Sequence, residues 1–311
     1  MIRKPLAALT AALLILTCFT GCQSKEADPT TNAISEENIG IFRFEDYESD
    51  EVFNIEKVDL SAGLAQKCTT YRFSYLSDGL KIKAYISIPA PAIYSQKPVK
   101  CILYNHGGNR DYGKLEDDDT ANLCAALGSR IVVASQYRGV GESQGYDQFG
   151  GDDLNDVIKL IDLCEKHFTF VDMDDFCVAG ASRGGMMTYM AARQDSRIKR
   201  IIAMSAVSDL FQSYESREDM KDVMLELIGS TPQEDPEAYE KRSAICWADE
   251  IKVPVLIIHS KLDELVSYSQ AEAMYEKLKD STDCTFITHD DDVHGSHPED
   301  FVTIREWLDQ E

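Results

Sequence analysis

From Val99 onward, short apolar runs alternate with amphipathic segments, and this rhythm constrains the fold more than any other feature. Strands are expected at Val99–Asn105, Ile131–Gln136, Phe176–Gly180, Ile198–Ser205, Val253–His259 and Cys284–Thr288. Between and after them, helices are expected at Leu115–Leu127, Asp153–His167, Gly184–Gln194, Gln270–Lys279 and Glu299–Gln310. Apolar runs this short, separated by helical periodicity, are the pattern of parallel βαβ units. Upstream, Lys67–Leu76 and Leu80–Pro89 flank the turn signal Ser77-Asp78-Gly79 and read as an antiparallel hairpin. The expected fold is therefore three-layer α/β, with a mostly parallel sheet and an antiparallel entry.

One interval breaks the rhythm. Residues 206–252 carry no strand pattern, whereas Asp219–Ile228 and Pro236–Ser243 look helical. A structureless loop of that length is improbable in a compact domain. A helical insertion, acting as a lid over one end of the sheet, is expected there. Tyr214, Met224 and Trp247 are its large side chains and candidate pocket residues, with core packing the better expectation for Trp247.

The first residues read as an address. Arg3 and Lys4 precede an apolar run, Leu6–Phe19, that ends in Phe19-Thr20-Gly21-Cys22. Charge followed by a short apolar stretch is secretory-signal grammar. The run of about 14 residues is short of the roughly 20 that span a bilayer. The residues before Cys22 resemble a bacterial lipobox, which implies cleavage after residue 21 and a lipid on Cys22. Residues 22–38 are polar and aperiodic and read as a flexible spacer, with the folded domain at 39–311. The expected location is extracytoplasmic, membrane-anchored through that lipid.

The net charge of −23 argues against a nucleic-acid partner, which needs clustered Lys and Arg. Beyond Cys18 and Cys22 there are seven cysteines and no C-x-x-C pair, so no zinc ribbon or thioredoxin-type site is expected. Most sit in apolar patterns and read as buried small hydrophobes. Asp117–Asp119 and Asp152-Asp153 lack an EF-hand pattern, and the second pair more simply begins a helix. No metal and no cofactor are expected.

The chemistry lies in three places. Gly180-Ala181-Ser182-Arg183-Gly184 is G-x-S-x-G, set between a strand and a helix. A reversal this tight requires glycine at its flanks and lifts the Ser182 hydroxyl above the sheet. The backbone N–H of Arg183 then faces a developing oxyanion, aided by the helix N-terminus. Asn105-His106-Gly107-Gly108-Asn109 follows an earlier strand, and Gly107 and Gly108 are the candidates for the second oxyanion donor. His106 precedes the nucleophile and reads as structural. Asp263, after the strand ending in His259, is the candidate acid, with Glu264 its neighbouring rival. His294, in the loop after the last strand, is the candidate base. Ser296 and Glu299 have capping-box spacing, which would put the rival His297 in a first helical turn.

The order Ser182, Asp263, His294 matches that of α/β-hydrolases. From about Leu80 to Leu308 the chain resembles the prolyl oligopeptidase catalytic domain and related esterases. The resemblance rests on Tyr137-Arg138-Gly139-Val140-Gly141-Glu142-Ser143, Gly180-Ala181-Ser182-Arg183-Gly184-Gly185, Ser243-Ala244-Ile245 leading to Pro254–His259, Asp263-x-x-Val266 and His294-Gly295. It implies a serine hydrolase that cleaves a peptide or carboxylic ester in a small-molecule substrate through an acyl-enzyme on Ser182. The alternatives are a carboxylesterase without peptidase activity and, more remotely, a tethered binding lipoprotein. Large members of the family carry a propeller, for which the roughly 160 residues between Cys22 and Ser182 leave no room. Arg183 replaces the Tyr common after the nucleophile, and His106 stands where several members have an oxyanion-loop Tyr. Proline specificity is therefore not implied.

Overall fold

Asp78 and Gly79 both take positive φ, 50° and 79°, which is the geometry that matches a two-residue turn to the twist of its strands. The strands on either side consequently pair without a slip, from Ser77 opposite Leu80 to Cys68 opposite Pro89. The computed structural model describes residues 43–95 and 97–310. These residues belong to one unit, Gly40–Glu311. The expected signal, the Cys22 lipidation site and the spacer lie outside the described residues.

In chain order the elements are β1 (Val52–Lys57), α1 (Ala62–Ala65), β2 (Cys68–Ser77), β3 (Leu80–Pro89), β4 (Val99–Asn105) and α2 (Asp119–Leu127). Then come β5 (Ile131–Ser135), α3 (Asp153–Lys166), β6 (Val171–Ala181), α4 (Arg183–Gln194) and β7 (Arg200–Met204). The insertion supplies α5 (Leu210–Ser216), α6 (Glu218–Ile228) and α7 (Pro236–Arg242). The chain closes with β8 (Val255–Ser260), α8 (Tyr268–Leu278), β9 (Cys284–His289) and α9 (Asp300–Leu308). The sheet order is β1-β2-β3-β5-β4-β6-β7-β8-β9. Strands β1 to β3 join antiparallel, and β4 to β9 run parallel.

Three layers follow from residue alternation. Val255 and Ile257 face one side of the sheet with Leu160, Met187 and Met274, drawn from α3, α4 and α8. Leu256 and Ile258 face the other side with Cys124 of α2 and Ile304 and Trp307 of α9. A parallel strand covered on both faces must be apolar at every position, and β8 is buried along its whole length. Five of the seven described cysteines are buried and unpaired, as expected of small hydrophobes, whereas Cys246 is exposed.

Residues 206–252 are helical, as their pattern implies. Asp209 and Asp235 cap α5 and α7 by accepting from the N–H groups of Gln212 and Ala238. Helix α5 was not apparent in the sequence, whereas the equally short α7 was marked by a Pro at its first turn. Met224 and Trp247 are buried in the core, and Tyr214 packs edge-on against Tyr239. Arg242 anchors the insertion to the rest of the unit by donating to the carbonyls of Gln148 and Phe149, at 3.0 and 2.9 Å.

Candidate active site

Strand β6 lies between β4 and β7, so its C-terminal end opens at the middle of the sheet. Ser182 sits at that end, at φ +59° and ψ −124°, a backbone state that a serine adopts only when its surroundings enforce it. Its N–H donates to the Met204 carbonyl at 2.9 Å, and its own carbonyl accepts from the Gly185 N–H at 3.0 Å. The flanking glycines are steric necessities. A Cβ at Gly184 would stand 1.9 Å from the Asn105 carbonyl oxygen, and one at Gly180 would stand 2.2 Å from the Gly184 oxygen.

The same crossing brings in the glycine loop. A Cβ on Gly107 would lie 3.2 Å from Ser182 Cβ, so this loop runs directly beside the serine. Gly108 has φ +82°, and the paired N–H···O bonds of Asn109 and Tyr112, 3.0 Å each, close the loop behind it.

Arg183 presents its backbone at the first position of α4, where amides lack intrahelical partners. Its side chain has a second part that the sequence did not disclose. The guanidinium is 1% exposed and forks onto Asp147, with Nη1 donating to Oδ2 at 2.8 Å and Nη2 to Oδ1 at 2.6 Å. Nη2 also bonds Asp153, and Nη1 donates to the Gly108 carbonyl at 3.2 Å. Asp153 does begin α3, but its carboxylate is fully buried against Arg183 rather than solvated at a helix end. Burial pushes the Asp147 carboxyl up, yet the charge and hydrogen bonds of Arg183 outweigh it and hold the group below the ordinary carboxylate range.

The Tyr-Arg-Gly segment supports this arrangement from below. Tyr137 stacks on His106 at 4.3 Å and donates its hydroxyl to the His106 carbonyl at 3.2 Å. Arg138 forks onto the buried Asp156 and reaches Asp78 at 2.7 Å. His106 is structural, as expected: it is buried, and its Nδ1 lies 2.8 Å from the Gly107 carbonyl. Burial, reinforced by the nearby Arg183 charge, lowers its pKa to about 4. The unfolded ring titrates near 6.5, so between pH 6.5 and 4 the unfolded state binds the extra proton. Stability should therefore fall as pH drops through that window, by about 3 kcal/mol from this ring alone. Urea unfolding at pH 4.5 and 7 should show that slope, and His106→Phe should flatten it.

Asp263 and His294 meet. His294 Nδ1 lies 2.8 Å from Asp263 Oδ2, while Asp263 Oδ1 accepts from the N–H groups of Leu265 and Val266 at 2.8 and 3.1 Å. Asp263 is buried and its rival Glu264 is exposed. Burial raises the Asp263 pKa, but His294, the Val266 N–H and the Ser205 hydroxyl together hold it below its ordinary value. His297 faces elsewhere: its Nε2 lies 2.8 Å from Asp291 Oδ2. The Ser296–Glu299 capping box does not form. Helix α9 begins at Asp300, whose carboxylate reaches back to accept from the His297 N–H at 2.7 Å.

Two further residues join the parts. Ser205, at φ +42°, directly follows β7, and its Oγ accepts from the Gly295 N–H at 3.0 Å. Val207 N–H donates to the Ser182 carbonyl at 3.2 Å, so residues 205–207 tie the serine turn to the histidine loop. His259, fully buried, places Nε2 2.9 Å from the Val266 carbonyl and 3.5 Å from Asp263 Oδ2.

A serine on a strained strand-to-helix turn, at the centre of this sheet order, defines the α/β-hydrolase fold class. Residues 117–309 match the model of the prolyl oligopeptidase family. The chain belongs to that family of serine hydrolases. It is 31% identical over 217 residues to the uncharacterised peptidase YtmA of Bacillus subtilis (strain 168), spanning 69% of this chain and 81% of the relative. It is 26% identical over 216 residues to dipeptidyl-peptidase 5 of Porphyromonas gingivalis, spanning 66% of this chain but 31% of that protein. Among solved structures, Pyrococcus horikoshii acylaminoacyl peptidase superposes with TM-score 0.67 at 23% identity, over 81% of this chain and 44% of the other. Acetyl xylan esterase 1 from Thermoanaerobacterium superposes with TM-score 0.63 at 17% identity, over 84% and 89%. At these identities the two structures establish the fold.

Proposed function

We propose that the protein hydrolyses a peptide or carboxylic ester bond through an acyl-enzyme on Ser182, with His294 as base and Asp263 as its partner. The observation that carries this reading is the 2.8 Å contact between His294 Nδ1 and the Asp263 carboxylate, in the loop tied to the Ser182 turn. Because Asp263 accepts at Nδ1, that nitrogen holds the proton and Nε2 is free to take one from the Ser182 hydroxyl. Ser182 Oγ attacks the carbonyl carbon, and the proton moves to Nε2. The oxyanion is met by the Arg183 N–H and the Gly107–Gly108 loop. His294 then returns the proton to the leaving group, and water repeats the sequence to release the acid.

A panel of p-nitrophenyl acyl esters beside aminoacyl anilides separates ester from amide specificity. Turnover of both classes supports the peptidase reading. Turnover of esters alone supports a carboxylesterase, and turnover of neither rejects the hydrolytic function. We further propose that the domain is held outside a membrane by lipid on Cys22. Among the described residues no helix is long and apolar enough to cross a membrane. Labelling of cells with a clickable fatty acid should mark the protein, and Cys22→Ser should abolish the mark.

A further inference from the structure

We propose that His289, His297 and Asp300 form a binding site for a divalent transition-metal ion of the zinc class. The three come from the end of β9, the following loop and the first turn of α9. One donor atom from each lies within 4.8 Å of the other two. His289 Nε2 is 2.8 Å from Asp300 Oδ1, His297 Nδ1 is 3.6 Å from Asp300 Oδ2, and the imidazole rings approach to 4.0 Å. Around tetrahedral zinc, ligand atoms about 2.0–2.2 Å from the ion stand roughly 3.3 Å apart. The two separations to Asp300 lie on either side of that value and the two histidine nitrogens lie within 4.8 Å of each other, close enough for side-chain adjustment to bring the three donors onto one ion.

Two observations favour a cation over simple hydrogen bonding. His297 Nδ1 is buried and makes no hydrogen bond among the described residues. The opposite nitrogen, Nε2, is engaged by Asp291 Oδ2 at 2.8 Å. A histidine that ligates a metal almost always passes its other ring N–H to a carboxylate, which fixes the tautomer and strengthens the ligand. That tautomer leaves the Nδ1 lone pair facing Asp300, which is 3% exposed and brings negative charge to the same point. Two imidazoles and one carboxylate suit zinc and its neighbours better than calcium, which prefers oxygen alone. The expectation of no metal rests on the cysteine spacing and on Asp117–Asp119 and Asp152-Asp153, and does not extend to these three residues.

The site closes the base of the loop that presents His294. An ion there ties the end of β9 to α9 and holds residues 290–299 between them, a positioning device separate from the hydrolytic chemistry. The test uses the tag-free protein, stripped with chelator and desalted. Titration with zinc chloride should show one equivalent bound and a rise in thermal midpoint. Cobalt(II) in its place should give visible absorption bands of a histidine-ligated ion. His289→Gln and His297→Gln should each abolish the bands, and Asp291→Asn should weaken zinc binding about 10–100-fold. His294→Ala should leave binding intact. No binding by the wild-type protein overturns the proposal, as does binding unchanged in both glutamine variants. Binding lost in His294→Ala but kept in His289→Gln places the ion on the His294–Asp263 pair and equally overturns it.

Discussion

His294→Ala is expected to lower kcat by roughly 10⁴–10⁶-fold on whichever substrate the panel identifies. The variant keeps the Ser182 turn, because the bonds fixing that serine come from Met204, Gly185 and Val207 rather than from the histidine loop. Binding should therefore change little, and the loss should appear in kcat rather than KM. Asp263→Asn should cost about 10⁴, since the amide cannot hold the imidazole in the tautomer that leaves Nε2 free. A loss below about tenfold for His294→Ala, measured on correctly folded protein, would mean that another group serves as base.

The second large effect is on stability. Arg183→Met removes the cation between two carboxylates that are 2% and 0% exposed, Asp147 and Asp153. Breaking a buried pair from one side strands the remaining charge, which costs about 3–5 kcal/mol. Lysine should not rescue it, because one ammonium cannot reproduce the planar fork onto Asp147 and the bond to the Gly108 carbonyl. Asp147 also accepts from the Arg110 and Phe149 N–H groups, so replacing the whole cluster with apolar residues would orphan those amides. Urea unfolding of Arg183→Met and Arg183→Lys should show both destabilised. A change under about 1 kcal/mol for Arg183→Met would contradict this account of the cluster.

What the sequence disclosed and what it hid divide along physical lines. The positions of Ser182, Gly180 and Gly184 were legible because backbone crossing excludes side chains there, and glycine records that exclusion directly. The strands β5, β7 and β8 were legible because both faces of each are buried, which forces continuous apolar runs, whereas the edge strand β9 is only part-buried. Asp263 could be chosen over Glu264 only by spacing, and burial now gives the reason: the hydrogen-bonded loop turns Asp263 inward and leaves Glu264 in solvent. By contrast, the pairing of Arg183 with Asp147 and Asp153 joins residues 30 to 36 positions apart. No local pattern encodes where such side chains aim. Ser205 was hidden for the same reason, since a serine after a strand looks ordinary until the returning loop places Gly295 on its hydroxyl. The false capping box shows the limit of spacing rules. Ser296 and Glu299 have the spacing, yet the helix is capped at Glu299, and the carboxylate that reaches back is that of Asp300, onto the His297 N–H.

The central claim is that Ser182 is a nucleophile activated by its fold. Labelling of the purified protein with a fluorophosphonate probe, followed by peptide mapping, tests it most directly. The account predicts one equivalent of probe, attached to Ser182, abolished in Ser182→Ala and strongly slowed in His294→Ala. Absence of labelling in the folded wild-type protein, or labelling that persists in Ser182→Ala, would contradict it.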